Sequence, residues 1–123
     1  MTAGKVLIVD DDREVRDMLA EYLATHGYEV AQADGGVAMR TVLEQGVPDV
    51  VLLDIGLPKL NGYEIAKQIR ADPALKTTML VAVTGYGQMQ DRALASAAGF
   101  DHHLVKPVEF KALQELLRTT AES

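Results

Sequence analysis

Five short apolar runs alternate with amphipathic stretches along the whole chain. The first run spans Lys5 to Asp10. The stretch after it carries Val15, Met18, Leu19, Tyr22 and Leu23, a period of about 3.6 that predicts a helix. That helix should stop at His26-Gly27, where glycine suits a left-handed cap. A second strand is expected over Glu29 to Ala33, then a helix over Gly36 to Gln45 with Met39, Val42 and Leu43 inward. The third strand runs from Asp49 to Asp54, and the loop IGLPKLNG leads into a helix with Ile65 and Ile69 on one face, stopped by Asp72-Pro73. The fourth strand covers Thr78 to Thr84, followed by a weakly amphipathic, alanine-rich helix from Gln88 to Ala98. A short fifth strand, His102 to Lys106, precedes a last helix presenting Phe110, Leu113, Leu116 and Leu117.

Strict βα alternation predicts an α/β fold: a (βα)5 doubly wound, five-stranded parallel sheet with right-handed crossovers and helices on both faces. Strands one, three and four are apolar throughout and belong in the interior. Strands two and five carry polar residues and belong at the edges. The order 2-1-3-4-5 meets both conditions and places the switch point between strands one and three. No repeat, linker or low-complexity segment interrupts the pattern, so residues 1–123 are expected to form a single domain.

Composition narrows the function. The net charge is -6 and the Lys and Arg residues are scattered, which argues against direct nucleic-acid binding. The absence of cysteine excludes disulfides, thiolate zinc sites and thiol catalysis. No apolar run is long enough to span a membrane and no signal peptide is recognisable, so a cytoplasmic protein is expected. His102 and His103 are adjacent on a strand and point to opposite faces, and no third ligand has suitable spacing for zinc. His26 suits a helix C-terminus, and the methionines suit core filling.

The informative residues stand where the runs end: Asp10 and Asp11 after strand one, Asp54 at the end of strand three, Thr84 at the end of strand four, and Lys106 after strand five. In an open parallel sheet those exits share one edge, where ligands bind. Each residue also has an ordinary structural explanation. Asp11 and Glu14 fit a capping-box-like pair, Asp54 and Thr84 fit turns, and Lys106 fits a solvated lysine before a proline. Those explanations leave the conjunction unaddressed, because carboxylates crowded together repel unless a cation lies between them. Oxygen-only donors favour Mg²⁺. A carboxylate can accept a phosphoryl group, whose oxygens would be met by the metal, the Lys106 ammonium and the Thr84 hydroxyl.

The segments VLIVDDD, VVLLDIGLPKLNGYE, VAVTGYG and AAGFDHHLVKP, with the last helix, resemble the receiver (response-regulator, CheY-like) domain of two-component signal transduction along essentially the whole chain. The strand order is that of CheY-like and flavodoxin-like folds, so it does not stand independently of the resemblance. By that resemblance Asp54 is the phosphoacceptor, Asp10 and Asp11 are the acidic metal pair, and Gly56 offers a backbone carbonyl to Mg²⁺. Thr84 is the switch hydroxyl, and Lys106 is the site lysine, followed by a proline that usually closes a cis peptide. His103 departs from the family pattern by replacing the usual Tyr or Phe, and Tyr86 occupies a flanking position.

The resemblance implies a signalling domain rather than an enzyme, catalysing only its own phosphorylation and dephosphorylation. Its expected partners are a histidine kinase or phosphotransfer domain and a downstream effector or fused output domain, with a phosphorylation-dependent homodimer as a further option. The expected output face combines helix four, strand five and helix five. Two other readings stand beside this one. A flavodoxin-like electron carrier would need a Ser/Thr/Gly-rich phosphate loop where Asp10-Asp11-Asp12 stands. A pseudo-receiver would serve as a docking scaffold without being phosphorylated.

Overall fold

The computed structural model describes residues 4–55, 62–85 and 97–121. Its parallel sheet has the order β2-β1-β3-β4-β5. The strands are β1 (Lys5–Val9), β2 (Glu29–Ala33), β3 (Val50–Asp54), β4 (Met79–Thr84) and β5 (His102–Val105), with α1 (Arg13–Thr25), α2 (Gly36–Gln45), α3 (Gly62–Ala71) and a C-terminal helix (Phe110–Ala121). A 3-10 turn, Pro73–Leu75, follows α3 where Asp72-Pro73 ends the helical pattern. Most of the expected fourth helix, from Gln88 on, lies outside the described residues.

Alternation along the inner strands divides the core in two. Leu7, Val9, Val51, Leu53, Leu80 and Ala82 face Met39, Ile65 and Ile69 of α2 and α3. Val6, Ile8, Val50, Leu52, Val81 and Val83 face Leu19 and Leu23 of α1, with Leu113 and Leu117 of the C-terminal helix. Successive strand side chains point to opposite faces, so apolar runs are what a sheet covered twice requires. Each fully buried leucine contributes about 1.5–3 kcal/mol of burial. Core filling by methionine holds for Met39, whereas Met18 is 43 % exposed on α1.

The start of α1 corrects one expectation. Asp12, rather than an Asp11–Glu14 pair, caps the helix: its Oδ1 accepts from the N–H of Glu14 at 2.9 Å and of Val15 at 3.4 Å. Asp11 is thereby free of capping duty and stays exposed at the strand-end edge.

At the other end of β3, the start of α3 packs tightly on the residue after Asp54. A Cβ on Gly62 would lie 2.7 Å from the Cα of Ile55, so only glycine fits there. The requirement is one of space, and it sets how closely α3 approaches the exit of β3.

Candidate functional site

Parallel register brings the five strand exits onto one edge. Asp10 follows β1, and its N–H donates to the Ala33 carbonyl at the end of β2 (3.1 Å). Asp54 pairs with Val83, and Thr84 with Val105, so β3, β4 and β5 end almost level. Lys106 leaves β5 with its N–H on the Thr84 carbonyl at 2.7 Å. The Lys106–Pro107 peptide is cis.

Five of the six expected site residues therefore meet at this edge. Asp10, Asp11 and Asp54 each bring one carboxylate oxygen to within 4.8 Å of the others. The Nζ of Lys106 lies 2.9 Å from Asp10 Oδ2 and 3.0 Å from Asp54 Oδ2. Asp10 and Asp54 are buried, while Asp11 is exposed and opens the cluster to solvent. The sixth residue, Gly56, lies outside the described residues, as does Tyr86.

Among the described residues one ammonium faces three carboxylates, so the described cluster keeps an excess of negative charge. Burial draws the Lys106 pKa down, but hydrogen bonds and charges from Asp10 and Asp54 more than offset it, and the net shift is upward. The lysine therefore stays charged. Oxygen donors alone, residual negative charge and one solvent-facing carboxylate fit a small hard cation that keeps some water ligands. Thr84 adds a second signal. Its side chain is buried, and Oγ1 has no hydrogen-bond partner among the described residues. An orphaned buried hydroxyl costs about 1–3 kcal/mol, and a phosphoryl oxygen would remove that cost.

The histidines stay apart from this edge chemistry. His26 places Nδ1 2.9 Å from the Tyr22 carbonyl, its own helical turn. His102 is exposed, and His103 is partly buried opposite Ala82. Neither contributes to a metal-competent group among the described residues.

Sequence reasoning missed Arg16. From the first turns of α1 its Nη1 donates to the Asp10 carbonyl at 2.7 Å, and its Nε to Gln32 Oε1 on β2 at 3.3 Å. Residue type gave no signal for it, because its acceptors are a backbone carbonyl and a glutamine on the neighbouring strand.

A five-stranded parallel α/β sheet with an aspartate cluster and a lysine at its strand exits defines a receiver-type signalling module. The comparisons agree. The model of the response regulator receiver domain matches residues 6–118, and the chain belongs to that family. The transcriptional regulator RpaA of Synechocystis, named as DNA-binding, is 32 % identical over 94 % of this chain and 50 % of its own length. The response regulator MprA of a Mycobacterium species is 35 % identical over 92 % of this chain and 47 % of its own. This chain thus spans about half the length of these curated relatives.

Among solved structures, the receiver domain of a Pseudomonas aeruginosa sensor histidine kinase aligns with a TM-score of 0.85 and 28 % identity, covering 98 % of both chains; it holds a magnesium ion in its active-site cleft. A chemotaxis response regulator of Vibrio cholerae aligns with a TM-score of 0.85 and 28 % identity, covering 95 % of this chain and 98 % of its own. The expectation of no direct nucleic-acid contact gains no support from these relatives, one of which is named for DNA binding. No helix among the described residues is long and apolar enough to cross a membrane.

Proposed function

We propose that this chain is the phosphoacceptor of a two-component phosphorelay, with Asp54 receiving the phosphoryl group from a phosphohistidine of a kinase or phosphotransfer domain. The observation that carries the reading is the Lys106 ammonium hydrogen-bonded to both Asp10 and Asp54, beside the third carboxylate of Asp11. An Asp54 carboxylate oxygen forms the new bond to phosphorus while the P–N bond of the donor breaks, its electron pair going to the imidazole nitrogen. Asp10, Asp11 and Asp54 would hold Mg²⁺, with the Gly56 carbonyl added by family resemblance. Bound there, the metal supplies positive charge that neutralises phosphoryl oxygens. Lys106 offers a mobile point charge to another oxygen.

The Thr84 hydroxyl, without a hydrogen-bond partner among the described residues, then turns to a phosphoryl oxygen in a charge-assisted bond. A tenfold shift in a two-state equilibrium needs only about 1.4 kcal/mol, within the range of such a bond. The movement passes to β5, His103 and the C-terminal helix, the output face for an effector or fused domain, or for a second copy of the chain. The chain acts as a signalling domain of the cytoplasm, catalysing only its own modification.

Incubation with acetyl phosphate and Mg²⁺, followed by intact mass measurement, tests the reading. One phosphoryl adduct is expected, lost on base treatment and absent from Asp54→Asn. No adduct on the wild type would favour the docking scaffold that is not phosphorylated.

A further inference from the structure

We propose that Arg16 is a positioning residue for the metal-binding carboxylates of the β1–α1 loop, an inference that rests on the Mg²⁺ site described above. Asp10 is held at every polar atom. Its N–H donates to the Ala33 carbonyl, Oδ1 accepts from the Asp12 N–H at 2.9 Å, and Oδ2 accepts from Lys106 at 2.9 Å. The remaining atom, its carbonyl oxygen, accepts from Arg16 Nη1 at 2.7 Å.

That carbonyl belongs to the Asp10–Asp11 peptide. Because a peptide is planar, fixing its oxygen fixes the plane and with it the place of the Asp11 Cα, the base from which that side chain reaches the cluster. Asp11 is exposed, and its carboxylate meets those of Asp10 and Asp54 at the strand exits. Arg16 also anchors the loop by its own N–H, which donates to the Asp12 carbonyl at 3.1 Å. Gln32 steadies the guanidinium from β2. The planar fork of arginine suits it to reach two acceptors on separate elements.

Charge and position act here with opposite signs. As a fixed cation near a cation site, Arg16 disfavours Mg²⁺ by Coulomb repulsion, so its removal would tighten binding if charge were its whole effect. As the brace of the loop, it favours Mg²⁺, and its removal weakens binding. Loss of a group that orients metal ligands typically lowers affinity about 10- to 100-fold.

Calorimetric Mg²⁺ titration of the full chain decides between them. Arg16→Met should raise the Mg²⁺ dissociation constant about tenfold and speed amide exchange at Asp12, whose N–H rests on Asp10 Oδ1. Gln32→Ala should raise the constant by a smaller factor. An unchanged or lower constant in Arg16→Met overturns the proposal, even if its thermal midpoint falls. Should Arg16→Met fail to fold, an unchanged constant in Gln32→Ala overturns it instead. Wild-type protein that takes up no Mg²⁺ would refute the underlying metal site, a result distinct from either variant's.

Discussion

The Nζ of Lys106 sits 3.0 Å from Asp54 Oδ2 while also touching Asp10, so one ammonium ties together the exits of β1, β3 and β5. The tie is incomplete compensation. Among the described residues the Lys106 ammonium attracts Asp54, while carboxylate oxygens of Asp10 and Asp11 within 4.8 Å repel it. Asp54 is also buried, which adds a desolvation cost to a charge crowded by two others.

Asp54→Asn should therefore stabilise the Mg²⁺-free protein by about 1 kcal/mol, a rise of a few degrees in thermal midpoint. The same variant should lose most of the stabilisation that wild type gains from saturating Mg²⁺. Thermal unfolding with and without Mg²⁺ measures both. A lower midpoint for Asp54→Asn without metal would show that the Lys106 contact outweighs the two repulsions.

Lys106 gives a pH dependence of definite sign. Its pKa is raised in the folded chain, so its contribution to stability is fully present below the ordinary lysine value of about 10.4 and is lost as pH rises through the folded value. Lys106→Met should lack this component. In Mg²⁺-free buffer the stability difference between wild type and Lys106→Met should shrink as pH rises above about 10.4. Denaturant unfolding at paired pH values checks this. A constant difference would mean that Lys106 acts through packing alone.

Asp12 separates capping from metal binding. Asp12→Ala removes the side-chain acceptor for the N–H groups of Glu14 and Val15 and should cost about 1 kcal/mol. Its Mg²⁺ response should stay close to wild type, because Asp12 is not among the three clustered carboxylates. Asp11→Ala should behave in the opposite way, losing metal response with little loss of metal-free stability. Urea unfolding and Mg²⁺ titration of the two variants give the comparison.

The division of labour in Asp10-Asp11-Asp12 marks where sequence reading stopped. Strand exits were legible because an apolar run covered on both faces ends where solvent returns, and that alone grouped Asp10, Asp54, Thr84 and Lys106. The choice of cap was not legible. Three consecutive aspartates offer the same oxygen chemistry, and one residue of phase in α1 decides which reaches the helix N–H groups. Arg16 was illegible for a related reason. Its acceptors are a backbone carbonyl and Gln32 on the adjacent strand, and carbonyl orientation leaves no trace in residue type. Gly62 read as a loop residue, although the constraint on it is steric and comes from Ile55.

The opposite edge of the sheet carries its own fixture, built on Arg70 of α3. Its Nε donates to the Gly99 carbonyl and its Nη1 to the Thr78 carbonyl, both at 2.8 Å, and its Nη2 pairs with the Asp101 carboxylate. Asp101 Oδ2 also accepts from the Leu80 N–H at 2.9 Å. One guanidinium thus links α3 to the starts of β4 and β5. Gly99 is bound to this arrangement twice: its φ is +107°, and a Cβ there would lie 2.4 Å from Arg70 Cγ. Arg70→Met should cost about 2–3 kcal/mol, since two carbonyls and a carboxylate lose a charged donor. Gly99→Ala should cost about 1–2 kcal/mol for the backbone alone, and more while the Arg70 stem blocks the new methyl. The two costs should not add. Methionine keeps a Cγ but has no guanidinium to anchor it, so it can swing away from Gly99 and relieve the steric part of Gly99→Ala, and the double variant should be more stable than the sum of the singles predicts, by about 0.5–3 kcal/mol. Urea unfolding of the four proteins closes the cycle, and strict additivity would show that Gly99 is required for its backbone angle and not for the passage of Arg70.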